Sequence, residues 1–129
     1  YQDYTIRAQV TEGLNLASDL KAGVGEVYAQ TGDFDGIGLA QVGVSGATSK
    51  SGKYVTGIDV VDGVITITYG GAQANAKISG ATLSLSPGSN LNEDVVWVCG
   101  NKAAPSGVTV ATTGATSLLD KYMPANCRT

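Results

Sequence analysis

Tyr54-Val55-Thr56-Gly57-Ile58-Asp59-Val60-Val61-Asp62-Gly63-Val64-Ile65-Thr66-Ile67-Thr68-Tyr69 carries two β-branched runs on either side of an Asp-Gly pair. Asp-Gly is a favoured two-residue hairpin turn, because both positions must take positive φ. With Asp62-Gly63 at the turn, Val60 falls opposite Ile65 and Ile58 opposite Ile67, all on one face. Asp59 and Thr66 then pair on the other face, with Thr68 beside them. A slip of one residue would turn every apolar side chain outward. Turn chemistry and hydrophobic pattern therefore specify the same antiparallel pairing.

Two further strands follow. Gly80-Ala81-Thr82-Leu83-Ser84-Leu85-Ser86 alternates, with Leu83 and Leu85 inward, and Pro87-Gly88 is expected to end it. Val95 to Cys99 makes a fourth strand. Ahead of the hairpin, Ile6, Val10, Leu14, Ala17, Leu20, Val24, Val27 and Tyr28 recur three or four residues apart, which predicts one helix over residues 1–30. Gly32 suits a left-handed cap. Gly13, Gly23 and Gly25 weaken this helix; they are either tolerated or mark close approach of another backbone. The helix opens at Tyr1 with no residue before it to cap it, so it is expected to continue upstream. Residues 31–53 are a Gly-rich connector with no confident strand. The layout is α+β: a long helix followed by a four-stranded antiparallel sheet over residues 54–99.

The tail from Gly100 to Thr129 reads as a long loop. Val108-Thr109-Val110 offers a short strand. Ser117 with Asp120 resembles a capping box for one turn through Leu118, Leu119 and Tyr122, stopped by Pro124. Cys99 and Cys127 are the only cysteines. A single disulfide between them is the preferred reading, since no ligand set exists for a metal; two free thiols is the alternative. A bridge there would stabilise the fold by about 3–4 kcal/mol in the chain-entropy description and would imply an oxidising compartment.

The chain has 129 residues, enough for one domain and not two. Hydrophobic residues make up 43% and charged residues 15%, so a core can form and the surface is weakly charged. Net charge is −3, with the cations scattered from Arg7 to Arg128, which argues against nucleic-acid binding. There is no His, which removes His-based acid–base chemistry and triads. Glu93-Asp94 is an adjacent pair that a strand would point to opposite faces, and Asp33 and Asp35 lack the calcium-loop pattern. Two solvated acids are the simpler reading of Asp33 and Asp35, and Asp59 and Asp62, which flank the hairpin turn, are also expected to be solvated. No phosphate loop, dinucleotide fingerprint or nucleophile elbow is present. No enzyme, metal or cofactor is expected. No run reaches the length of a membrane span, and the chain opens on Tyr rather than Met, as a processed chain or fragment would.

Several stretches carry a resemblance. Tyr1-Gln2-Asp3-Tyr4-Thr5-Ile6-Arg7-Ala8-Gln9-Val10 resembles the segment after the hydrophobic stretch of type IV pilins. Trp97-Val98-Cys99 and Pro124-Ala125-Asn126-Cys127 resemble the opening and closure of their C-terminal disulfide loop, and Gly80 to Leu85 is like their third strand. The likeness runs end to end, weakest over residues 32–53, and is nearest to the type IVa major pilins of Pseudomonas. It implies a long helix on a four-stranded sheet. It also implies a cleaved leader, an N-methylated first residue and an apolar helix half ahead of Tyr1, which anchors the subunit in the inner membrane before assembly.

The functions implied by the resemblance are polymerisation with other pilin subunits into retractile surface fibres, adhesion, twitching motility and service as a phage receptor. Host-glycan contact by the C-terminal loop is implied too. Asp120, Lys121, Tyr122, Met123 and Pro124 are the residues expected to face a receptor, unless Leu118, Leu119 and Tyr122 merely seat the loop. A helix of 30 residues is about 45 Å long and strands roughly 17–20 Å, so the first turns should outrun the sheet. Tyr1, Tyr4, Ile6 and Val10 are accordingly expected to pack against neighbouring subunits. The competing readings are a secreted glycan-binding module and a secretion-system pseudopilin; many pseudopilins carry calcium in place of the disulfide.

Overall fold

Asp62 and Gly63 both take positive φ, 50° and 79°, as the hairpin turn requires. The structure, a computed structural model, describes residues 2–129. Around the turn, β1 (Val55–Val61) and β2 (Val64–Tyr69) pair antiparallel, with Val60 opposite Ile65, Asp59 opposite Thr66 and Ile58 opposite Ile67. Ile58, Ile65 and Ile67 are fully buried. The expected register is the observed one.

β3 (Thr82–Ser89) and β4 (Val95–Cys99) extend the sheet in the order β1-β2-β3-β4, all antiparallel. Pro87-Gly88 does not end β3. Pro87 pairs with Trp97 and Gly88 with Val96. The last β2 partner of β3 is Ile65, opposite Leu85, so at Pro87 the strand has already lost its β2 neighbour. A proline is tolerated at such an edge. The vacated side is taken by the short β5 (Thr109–Val110), whose Val110 faces Gly88.

The expected single helix is two segments, α1 (Gln2–Leu16) and α2 (Ser18–Thr31), with a local distortion at Ala17. Hydrogen bonding runs through the break: Ala17 N–H donates to Gly13 O and Lys21 N–H to Ala17 O. Gly32 ends α2 at φ 75°, donating to Tyr28 O at 2.7 Å. The buried stripe is Ile6, Val10, Gly13, Ala17, Leu20, Val24 and Tyr28. Gly13 is on it because β2 comes close there. A methyl group at Gly13 would lie 2.5 Å from Tyr69 Oη and 2.8 Å from Ile67. The neighbour is thus a pair of side chains and not a backbone. Gly23 faces Val42 at 3.1 Å, while Gly25 has open space and is simply tolerated.

Ile6 and Val10 correct the expectation for the first turns: both have no exposed surface. Strand length underestimates the cover available to the helix. The loop after β2 bonds α1 through Asn75 N–H to Gln9 Oε1, and a turn at Asp120–Tyr122 packs on α1. Tyr4 remains 70% exposed; Tyr1 lies outside the described residues. The connector also contributes to the core, burying Phe34 and Ile37, with Phe34 stacked on Tyr28 at 4.1 Å.

Candidate assembly surface and disulfide segment

Cys99, the last residue of β4, is bonded to Cys127, with Cα atoms 4.7 Å apart. The preferred reading of the two cysteines holds. Between them the chain crosses the sheet face opposite the helix. Gly114 N–H donates to Ser86 Oγ at 3.0 Å, and Ser84 Oγ donates to Ala115 O at 2.7 Å. Ser84 and Ser86 are thereby buried yet satisfied, which removes the cost of burying a free hydroxyl. Ser117 does not cap a helical turn. Its Oγ accepts from Thr82 N–H at 2.9 Å, and its own N–H donates to Thr82 O, because the nearby strand end offers stronger partners than the short turn.

The segment Asp120–Pro124 divides by burial. Tyr122 is 2% exposed and Met123 has no exposed surface, so neither can meet a receptor from outside; they seat the loop. This corrects the expectation for both residues. The Asp120–Tyr122 turn packs on α1, and the disulfide ties the end of the segment to β4. Arg7 Nη1 donates to Lys121 O at 2.9 Å, and Arg128 Nε donates to Met123 O at 2.8 Å. The Asp120 carboxylate accepts from Thr129 N–H and Thr129 Oγ1. Lys121 is left exposed, its Nζ 5.2 Å from the centre of the Tyr122 ring.

Between α1 and this segment lies a groove of about 410 Å³, lined by Tyr4, Arg7, Ala8, Thr11, Pro124 and Arg128. Tyr4 supplies an apolar wall and the two guanidiniums its charge. Sequence reading singled out Tyr4 and Pro124 but not the two arginines. Nothing in their spacing, residues 7 and 128, signals that the fold brings them together. The acids set aside as solvated also have structural partners: Asp33 Oδ1 accepts from Asp35 N–H, and Asp62 Oδ1 accepts from Gly36 N–H.

Two of the described ionisable groups are shifted from their ordinary values. The Lys50 ammonium, bonded to Asp19, holds that carboxyl below the usual carboxylate value. Burial pushes the Tyr69 phenol well above its ordinary value, with Glu12 adding to the shift. Neither lies in the groove, and neither is paired with a nucleophile. Among the described residues no His, Cys, Asp and Glu side chains gather as a metal site, and no helix is long and apolar enough to cross a membrane.

A family model described as pilin, a bacterial filament protein, matches residues 6–128. The chain belongs to the pilin family. This pilin is 37% identical over 136 residues to a fimbrial protein of Neisseria meningitidis serogroup B, covering 99% of this chain and 79% of that one. It is also 37% identical to the type IV major pilin protein PilE of Neisseria gonorrhoeae, covering 99% and 78%. A crystal structure of a type IV pilin from Pseudomonas aeruginosa strain Pa110594 matches with a TM-score of 0.66 at 28% identity, covering 96% of this chain and 98% of that one. The pilin is a structural subunit of type IV pili and belongs to the fibre at the cell surface. The relatives are filament proteins, which accords with the expected lack of catalysis.

Proposed function

We propose that this pilin is the repeating unit of a retractile fibre that supports surface adhesion and twitching motility. It enters the fibre from an inner-membrane pool. Contact with host glycans, other surfaces or phage is made through Asp120 and Lys121 at the edge of the disulfide segment, with Tyr122, Met123 and Pro124 holding that edge in place. The observation that carries this reading is the fixing of the segment by a disulfide, by Arg7 and by Arg128, while Lys121 stays exposed. A pre-ordered loop loses less conformational entropy on binding. Tyr4, exposed on α1, contacts neighbouring subunits, as does Tyr1 on the expectation drawn from the sequence.

The test is deletion and complementation in piliated cells. Deletion of the chain should abolish pili and twitching. Lys121→Ala should leave pili intact and weaken adhesion to glycan-coated surfaces. Full adhesion by that variant, with normal pilus numbers, would remove the receptor role from the segment and leave the fibre role standing.

A further inference from the structure

The two ends of the subunit differ in charge. At one end sits the β1–β2 turn, where Gly63 N–H donates to Ile37 O and Gly36 N–H to Asp62. Asp33, Asp35 and Asp62 gather there. Beyond Pro87, which approaches Gly63, β3 carries on to the β3–β4 turn with Glu93 and Asp94. At the other end, Lys77 Nζ donates to Gln2 Oε1, Arg7 bonds Lys121 O, and Arg128 bonds Met123 O. Asp3 and Asp120 are also at this end, and Asp120 is occupied by Thr129. One end is thus acidic and the other predominantly basic.

Each end also carries an apolar feature. On the acidic end Leu91 is 94% exposed. It is held out by a self-bonded turn: Asn90 Oδ1 accepts from Asn92 and Asp94 N–H groups, and Asn90 N–H donates to Asp94 O. Glu93, two residues on, takes φ 64° to close the turn. On the basic end is the groove between α1 and the disulfide segment, with Tyr4 70% exposed at its wall. β3 starts beside Ser117 and runs eight residues away. At about 3.3 Å per residue, the turn lies roughly 25 Å from that start. Leu91 therefore cannot reach the groove of its own subunit.

We infer that the Leu91 knob of one subunit seats in the groove lined by Tyr4, Arg7 and Arg128 of a second copy of this chain, with Glu93 and Asp94 facing the two guanidiniums. The contact joins unlike surfaces at opposite ends, and such a heterologous contact propagates as an open helical filament where its rotation does not close a ring. Opposed charge fixes which end meets which, and the leucine supplies apolar burial against Tyr4. The inference rests on the reading of the chain as the repeating unit of a fibre.

The test uses assembled pili sheared from cells that produce Leu91→Cys together with Ala8→Cys, treated with a short bismaleimide. A ladder of covalent dimers, trimers and higher multimers is expected, absent from either single variant. Pili that contain the chain but give only monomers, or that link Leu91→Cys to a different protein, would overturn the contact and leave the fibre role untouched. Wild-type pili that lack the chain would overturn the fibre role itself, and the contact with it. As a second measure, Leu91→Asp should leave the melting temperature of the purified domain unchanged. It should lower pilus yield about tenfold, the equivalent of about 1.4 kcal/mol at one contact. Normal pilus yield from Leu91→Asp would also overturn the inference.

Discussion

The phenol of Tyr69 donates a 2.7 Å hydrogen bond to the main-chain carbonyl of Val10. It reaches that carbonyl across Gly13, whose missing side chain leaves room for the ring. The end of β2 is thereby tied to the middle of α1, and both partners are buried. Together with the Asn75–Gln9 and Arg7–Lys121 hydrogen bonds, this link holds α1 on the sheet and beside the disulfide segment.

Gly13→Ala should therefore destabilise the domain, although alanine is the better helix former. The added methyl would overlap Tyr69 and Ile67, and overpacking of this kind costs about 1–3 kcal/mol. Thermal unfolding of the purified domain measures it. An unchanged or raised melting temperature would show that the ring can move aside.

Tyr69 should make stability fall at alkaline pH. The unfolded phenol ionises near its ordinary value of about 10, while burial keeps the native one protonated to higher pH. Above pH ~10 the native state holds the extra proton, so stability declines as pH rises. Below that value the contribution is complete. Tyr69→Phe should cost about 1 kcal/mol at neutral pH through the lost hydrogen bond, yet show a shallower alkaline decline. Urea midpoints for both proteins across the alkaline range decide it, and parallel declines would reject the assignment.

Replacing both Cys99 and Cys127 with serine should destabilise the domain by about 2–5 kcal/mol. The loss should be largest around the Asp120–Cys127 segment, because the bridge anchors its end to β4. Hydrogen exchange read residue by residue would show it. Loss of protection spread evenly over the sheet would mean that the segment packs well without its bridge.

Tyr122→Ala and Lys121→Ala should separate seating from contact. Tyr122 is buried, and truncating a buried aromatic costs about 3–5 kcal/mol. Lys121 is exposed, so its truncation should stay within about 0.5 kcal/mol. Chemical denaturation of the two variants measures both. A mild effect of Tyr122→Ala would return that ring to the list of surface residues.

The hairpin register was legible from residues 54–69 alone, since turn type and alternation are local properties and both pointed to Val60 opposite Ile65. So was the helix end at Gly32, because a left-handed cap needs no partner from elsewhere in the chain. The preferred pairing of Cys99 with Cys127 followed from there being no third cysteine. What the sequence could not show was anything that depends on which distant segment covers which. Pro87 continues β3 because β2 has already turned away. Ile6 and Val10 are core because the loop after β2 and the Asp120–Tyr122 turn lengthen the cover over the helix. Tyr122 is buried because its turn packs on α1, far away in sequence. Arg7 and Arg128 share a groove although they lie near opposite ends of the chain. Short-range patterns specify elements and their faces; the neighbours of those faces are set by packing of the whole chain, which no local spacing encodes.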